Sequence, residues 1–161
     1  MRYQMTQKLL TLSNDFMIKD AEGEDVYFVK GKLLSFAKQL YFKDMQDREL
    51  AYIKQKLMSF TPCYEIYREG KLQATVKGAF FRMFGERFSI TLADGDAFEL
   101  EGCWADYDFS FSRGGRMIAD ISKKFFALRD SYGIDIADGE DDVLILCCAV
   151  VIDMVCHTNK D

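Results

Sequence analysis

Residues 143–156 read VLILCCAVVIDMVC, the longest apolar run in the chain, and what surrounds this run decides the fold. As a helix, these fourteen residues rise about 21 Å, short of the roughly 30 Å of hydrocarbon that a spanning segment crosses. Asp153 interrupts the run near its end, and the polar HTNKD that follows (157–161) offers no basic stop-transfer flank. Burial inside protein, not a membrane anchor, is therefore the expectation. Just upstream, ADGEDD (137–142) has the marks of a helix start: Asp138 or Asp141 as the cap, with further carboxylates at the positive end of the dipole. The apolar residues, from Val143 and Leu144 to Ile152 and Val155, cover every angle around the axis. Such a helix needs protein on all sides.

The rest of the chain supplies a wall. FSITL puts Phe88, Ile90 and Leu92 on one face and Ser89 and Thr91 on the other. YDFSFS (107–112), LQATVK (72–77), AFELE (97–101) and YGIDIA (132–137) alternate in the same way, with Tyr107/Phe109/Phe111, Leu72/Ala74/Val76, Phe98/Leu100 and Tyr132/Ile134/Ile136 as apolar sets. Period-two alternation means a strand with one buried and one wet face. Tight-turn chemistry separates the runs in DAEGED (20–25), KDMQD (43–47), REGK (68–71), ADGD (93–96) and SRGGR (112–116). About twelve strands fit between residues 2 and 137, without a linker, a low-complexity tract or a strong internal repeat. Pro62 reads as a strand entry or break. A sheet of that size can close around the helix. The expected fold is mainly β: one domain over 1–161, a closed antiparallel β-barrel of about twelve strands around a buried hydrophobic C-terminal helix at about 140–157.

Composition narrows the function. The chain has 161 residues and a net charge of −5, enough length for a core of its own and the wrong sign for a nucleic-acid binder. Fourteen Phe and eight Tyr favour strands. Five cysteines, of which Cys147 and Cys148 are adjacent in the apolar run, read as reduced buried thiols, and hence as a cytoplasmic protein. MRYQMTQKLL builds no signal-peptide h-region, and Arg2 excludes myristoylation.

The stretches DFMIKDAEGEDVYFVKGKLLSF (15–36), YEIYREGKLQATVK (64–77), RMIADISKKFF (116–126), DSYGIDI (130–136) and DDVLILCCAVVIDMV (141–155) together resemble the LURP-one-related family in its short bacterial form. That family is placed in the tubby C-terminal-like superfamily with the phospholipid scramblases. The resemblance covers nearly the whole chain and rests on order and spacing. It implies a closed twelve-stranded barrel threaded by a hydrophobic C-terminal helix, with no established catalytic residues to carry over. Phosphoinositide binding by tubby proteins stays an analogy, because shared fold does not imply shared function.

Candidate sites are few. His157 lacks the partners that acid–base or nucleophilic chemistry needs and reads as a cationic residue at a helix C-terminus. Asp153 reads as a paired carboxylate or one reaching the rim. The acidic stretches 94–101 and 135–142 lack calcium-loop spacing, and the cysteines lack paired zinc spacing. No metal, cofactor or catalytic site is expected. Residues 30–56 are different: seven basic residues against three acidic ones give a local +4. With a turn at DMQD, one sheet face gathers Lys43, Arg48, Lys54 and Lys56 around Tyr41 and Tyr52, which suits an anionic phospholipid head group or another acidic partner. GAFFRMFGERF (78–88) places Phe80, Phe81 and Phe84 beside Arg82 and Arg87, either an exposed aromatic tip or an inward-folded connection. The expected function is a non-enzymatic binding or scaffold module, cytoplasmic and peripheral to anionic membranes at most. A protein partner and a carrier of a small apolar ligand are the alternatives, the carrier disfavoured by a plugged lumen.

Overall fold

The fold is described from a computed structural model over residues 1–8, 15–32, 36–79, 85–103, 108–122 and 131–158, without the side chains of Lys8, His157 and Thr158. Twelve strands follow in order: β1 (Arg2–Lys8), β2 (Asp15–Lys19), β3 (Asp25–Gly31), β4 (Gln39–Asp44), β5 (Glu49–Gln55), β6 (Cys63–Arg68), β7 (Lys71–Gly78), β8 (Glu86–Leu92), β9 (Ala97–Cys103), β10 (Asp108–Arg113), β11 (Arg116–Ser122) and β12 (Ser131–Ile136). Each pairs antiparallel with its neighbours in sequence, and β1 also pairs with β12, so the sheet closes. Among the described residues one helix, α1 (Asp142–Thr158), follows the strands. The barrel and helix expected from the sequence are thus what the chain forms.

Alternation sets which side chains face the lumen. Phe16 and Ile18, Leu40 and Phe42, Phe88 and Ile90, Phe109 and Phe111 are buried, while their sequence neighbours face outward. Leu72 departs from its expected inward face. The register slips between Ile66 and Tyr67, so that Leu72 pairs with Tyr67, and a bulge reverses the faces on either side of it. Leu72 is accordingly exposed. Tyr107 lies outside the described residues.

The lumen is filled by α1. Leu146, Cys147, Cys148 and Val150 have no exposed surface, because the helix is apolar all round and walled on every side. Asp141 is the cap: its carboxylate accepts the backbone N–H of Leu144 at 3.1 Å. Asp138 does not fill that role. The same Asp141 carboxylate takes both terminal nitrogens of Arg68 at 2.8 and 2.6 Å, and the Tyr3 hydroxyl donates to Asp142 at 2.6 Å. Arg113 and Arg116 reach Glu140 at 2.9 and 3.2 Å. These contacts fasten the helix start to β1, β6, β10 and β11 at the barrel end that carries the tight turns. Residues 36–38, before β4, and 56–62, between β5 and β6, lie at the opposite end.

Asp153 is buried and accepts a 2.7 Å hydrogen bond from the Tyr132 hydroxyl on β12. A tyrosine across the lumen is thus one partner of this carboxylate, which lies inside the barrel and not at the wet rim.

Candidate functional site

Outward side chains on β4, β5 and β6 stack across the sheet. Tyr41 pairs in register with Tyr52 and Tyr52 with Tyr67, and directly opposed aromatics on one face touch. Their ring centroids are 5.2 Å and 6.1 Å apart, tilted by 37° and 42°. The three rings, with Leu50, Lys54, Glu49 and Glu69, line a groove of about 420 Å³ on the outer wall. Partial burial raises the phenol pKa of Tyr52, and the neighbouring Tyr41, Glu49 and Tyr67 add to it. Burial, and then Glu65, raise Tyr67 likewise. Both phenols therefore stay protonated well above neutral pH.

Of the basic cluster expected around these rings, only Lys54 lines the groove. Lys43 donates to Asp47 at 2.9 Å, with its ammonium 5.9 Å from the Phe28 ring centroid. Arg48 donates from Nε to Asp44 at 2.7 Å. Asp44 also accepts the N–H groups of Gln46 and Arg48. Burial pushes its carboxyl pKa up, but these donors outweigh burial and hold it below its ordinary value. Two of the four cations are thus held by carboxylates in the β4–β5 turn, which the +4 count over the segment could not reveal.

Lys56 sits beyond the end of β5. With Lys38, Phe60 and Val155 of α1 it lines a second cavity of about 280 Å³ at the long-connection end. Lys38 is held beside it: its N–H donates to the Gln55 side chain at 3.0 Å, and its carbonyl accepts the Gln55 N–H at 2.8 Å. Around these lysines the apolar exposure is extreme for single side chains: Phe36 101%, Phe60 99%, Met58 95% and Leu57 56% of their free surface. Neither connection, 32–38 (KLLSFAK) nor 56–62 (KLMSFTP), contains a carboxylate. Sequence reasoning passed over 57–60 as a strand entry before Pro62. The signal that finds it is a repeated pentapeptide, KLLSF at 32–36 and KLMSF at 56–60. Tyr67 was missed because it comes from a third strand.

The Phe80–Phe84 segment lies outside the described residues, and so does the side chain of His157. Cys63 and Cys147 have thiol pKa values raised by burial, and Cys148 follows them, which disfavours the nucleophilic thiolate. Among the described residues, no group of three or more His, Cys, Asp or Glu side chains is placed to hold a metal ion, and no helix is long and apolar enough to cross a membrane.

The sequence model of a family described as LURP-one-related matches residues 1–153. The uncharacterized protein YxjI of Bacillus subtilis (strain 168) is 32% identical over 160 residues, covering 98% of this chain and 94% of that one. An Arabidopsis thaliana protein solved by X-ray diffraction superposes with a TM-score of 0.70 at 16% identity, over 96% of this chain and 91% of that one. At that identity the likeness concerns the fold alone.

Proposed function

The chain belongs to the LURP-one-related family, and from that premise we propose that it is a non-catalytic binding module that docks on anionic phospholipid surfaces through its long-connection end. One observation carries the reading: adjacent connections expose Phe36, Met58 and Phe60 almost completely beside Lys38 and Lys56, with no carboxylate in either connection. Isolated apolar side chains on a surface are ordinary, whereas a clustered apolar tip ringed by lysines matches an interface that is apolar below and anionic above. Each lysine near such a surface contributes about 1 kcal/mol, and each apolar side chain that enters the acyl boundary contributes up to about 1.5–3 kcal/mol. A wider kinship with tubby-like and scramblase proteins belongs to the same proposal. The carrier alternative has little room: the lumen cavity beside Asp153 measures about 10 Å³, the space of one water.

Co-sedimentation with vesicles of neutral lipid, and of neutral lipid mixed with anionic lipid, tests this at low and physiological salt. Binding is expected to the mixed vesicles, weakened by salt through screening. The double variant Lys38→Glu/Lys56→Glu should lose it, and so should Met58→Asp/Phe60→Asp. Lys43→Glu, whose parent lysine is already paired with Asp47, should retain it. Equal, negligible pelleting with both lipid mixtures at low salt overturns the proposal and leaves a protein partner.

A further inference from the structure

On the outer wall of β4–β6 we propose a second binding site: the tyrosine groove takes an organic cation, a quaternary ammonium or a guanidinium group. The site is independent of the docking end and stands whether or not that reading does. Its rim lies toward the Glu69–Gly70 turn that joins β6 to β7, at the tight-turn end of the barrel.

Three observations carry the assignment. The volume of about 420 Å³ falls within the range of small-ligand sites, roughly 300–1,000 Å³. The wall is built of three consecutive tyrosine rings at 5.2 and 6.1 Å, and the protonated phenols keep the negative ring faces that attract a cation. The lining also carries two carboxylates, Glu49 and Glu69, against one cation, Lys54, with Glu65 beside Tyr67. That balance repels an anion and complements a positive group. An ammonium bearing methyl groups satisfies both parts, its apolar surface against the rings and its charge toward the carboxylates.

Glu69 adds a conformational argument. It has φ +49° and Gly70 has φ +74° in a two-residue hairpin whose flanking residues Arg68 and Lys71 pair. Such a turn favours Asn, Asp or Gly at its first position. A glutamate there costs stability, and this one lines the groove. A local rule broken at the edge of a pocket is where function and stability pull apart.

The experiment titrates the whole protein with choline and with arginine amide, reading the ring resonances of Tyr41, Tyr52 and Tyr67 by NMR. The neutral isostere of choline, 3,3-dimethyl-1-butanol, is titrated in parallel. At least one cation should shift the rings saturably, with the isostere at least about 5-fold weaker, and Tyr52→Leu should weaken cation binding by about 5-fold, the upper end for one exposed ring. Glu69→Asn separates ligand recognition from turn structure: it should weaken the cation while raising the melting temperature by about 2 °C. Three results each overturn the assignment: equal binding of the isostere, unmoved rings with both cations, or unchanged affinity in Glu69→Asn.

Discussion

Replacing Leu146 by alanine tests the packing of α1 against the barrel. Leu146 lies in the second turn of α1 with no exposed surface, so the removed atoms leave a hole with sheet around it. Three carbons at about 0.8 kcal/mol each give roughly 2.4 kcal/mol of lost transfer energy. A cavity term adds to this, because a closed barrel cannot collapse onto the gap, and about 4 kcal/mol in all fits buried Leu→Ala changes. For a chain of this size, each kcal/mol lowers the melting midpoint by about 2–4 °C, so a fall of about 8–16 °C is expected by calorimetry or circular dichroism. Leu72→Ala is the internal control. Leu72 is 38% exposed on the outer face, and its loss should cost no more than about 0.5 kcal/mol. Leu146→Asp, with an unpaired charge in the lumen, should abolish folding altogether. If Leu146→Ala melts within 2 °C of the parent (well under the roughly 8 °C expected), or Leu146→Asp is soluble and melts cooperatively, the helix is not surrounded as described.

Two further predictions concern the fastening of the fold. Asp141 both caps α1 and binds Arg68, so Asp141→Ala should cost about 1–2 kcal/mol in chemical denaturation, and Arg68→Ala added to it should cost little more. Full additivity of the two changes would refute the shared contact. The Asp44 carboxyl lies below its ordinary pKa because the Arg48 and Gln46 donors outweigh burial. It therefore contributes stability that is present above the unfolded value of about 3.9 and is lost as pH falls through the lower folded value. Asp44→Asn should lower stability at neutral pH and flatten its decline below pH 4, read from urea midpoints; an acid limb identical to the parent's would contradict this.

The barrel is legible in the sequence because each piece of evidence is local. Alternation in FSITL or YGIDIA fixes an inward face without knowledge of the partner strand, and an all-round apolar run at 143–156 must be enclosed. Register is not local. The bulges at Phe42/Lys43 and Ile66/Tyr67 turn Leu72 outward and shape the hairpin in which Lys43 and Arg48 meet carboxylates. A count of charges along 30–56 sees seven cations and misses that two of them are held in ion pairs. The groove was half visible, since Tyr41 and Tyr52 follow from the hairpin, but Tyr67 reaches it only through the pairing of β5 with β6. Exposure of Met58 and Phe60 has no periodic signature at all: apolar residues in a connection read equally well as a strand entry.

The most direct test of the docking proposal is which end of the barrel meets the lipid. Vesicles containing anionic lipid and a paramagnetic head-group label broaden the NMR signals of nuclei close to the bilayer surface. Strong broadening is expected of Phe36, Leu57, Met58 and Phe60, together with Lys38 and Lys56, and sharp signals from the opposite end at Gly23, Asp47, Gly70 and Gly139. Broadening centred on the tight turns, or spread evenly over the barrel, would contradict it.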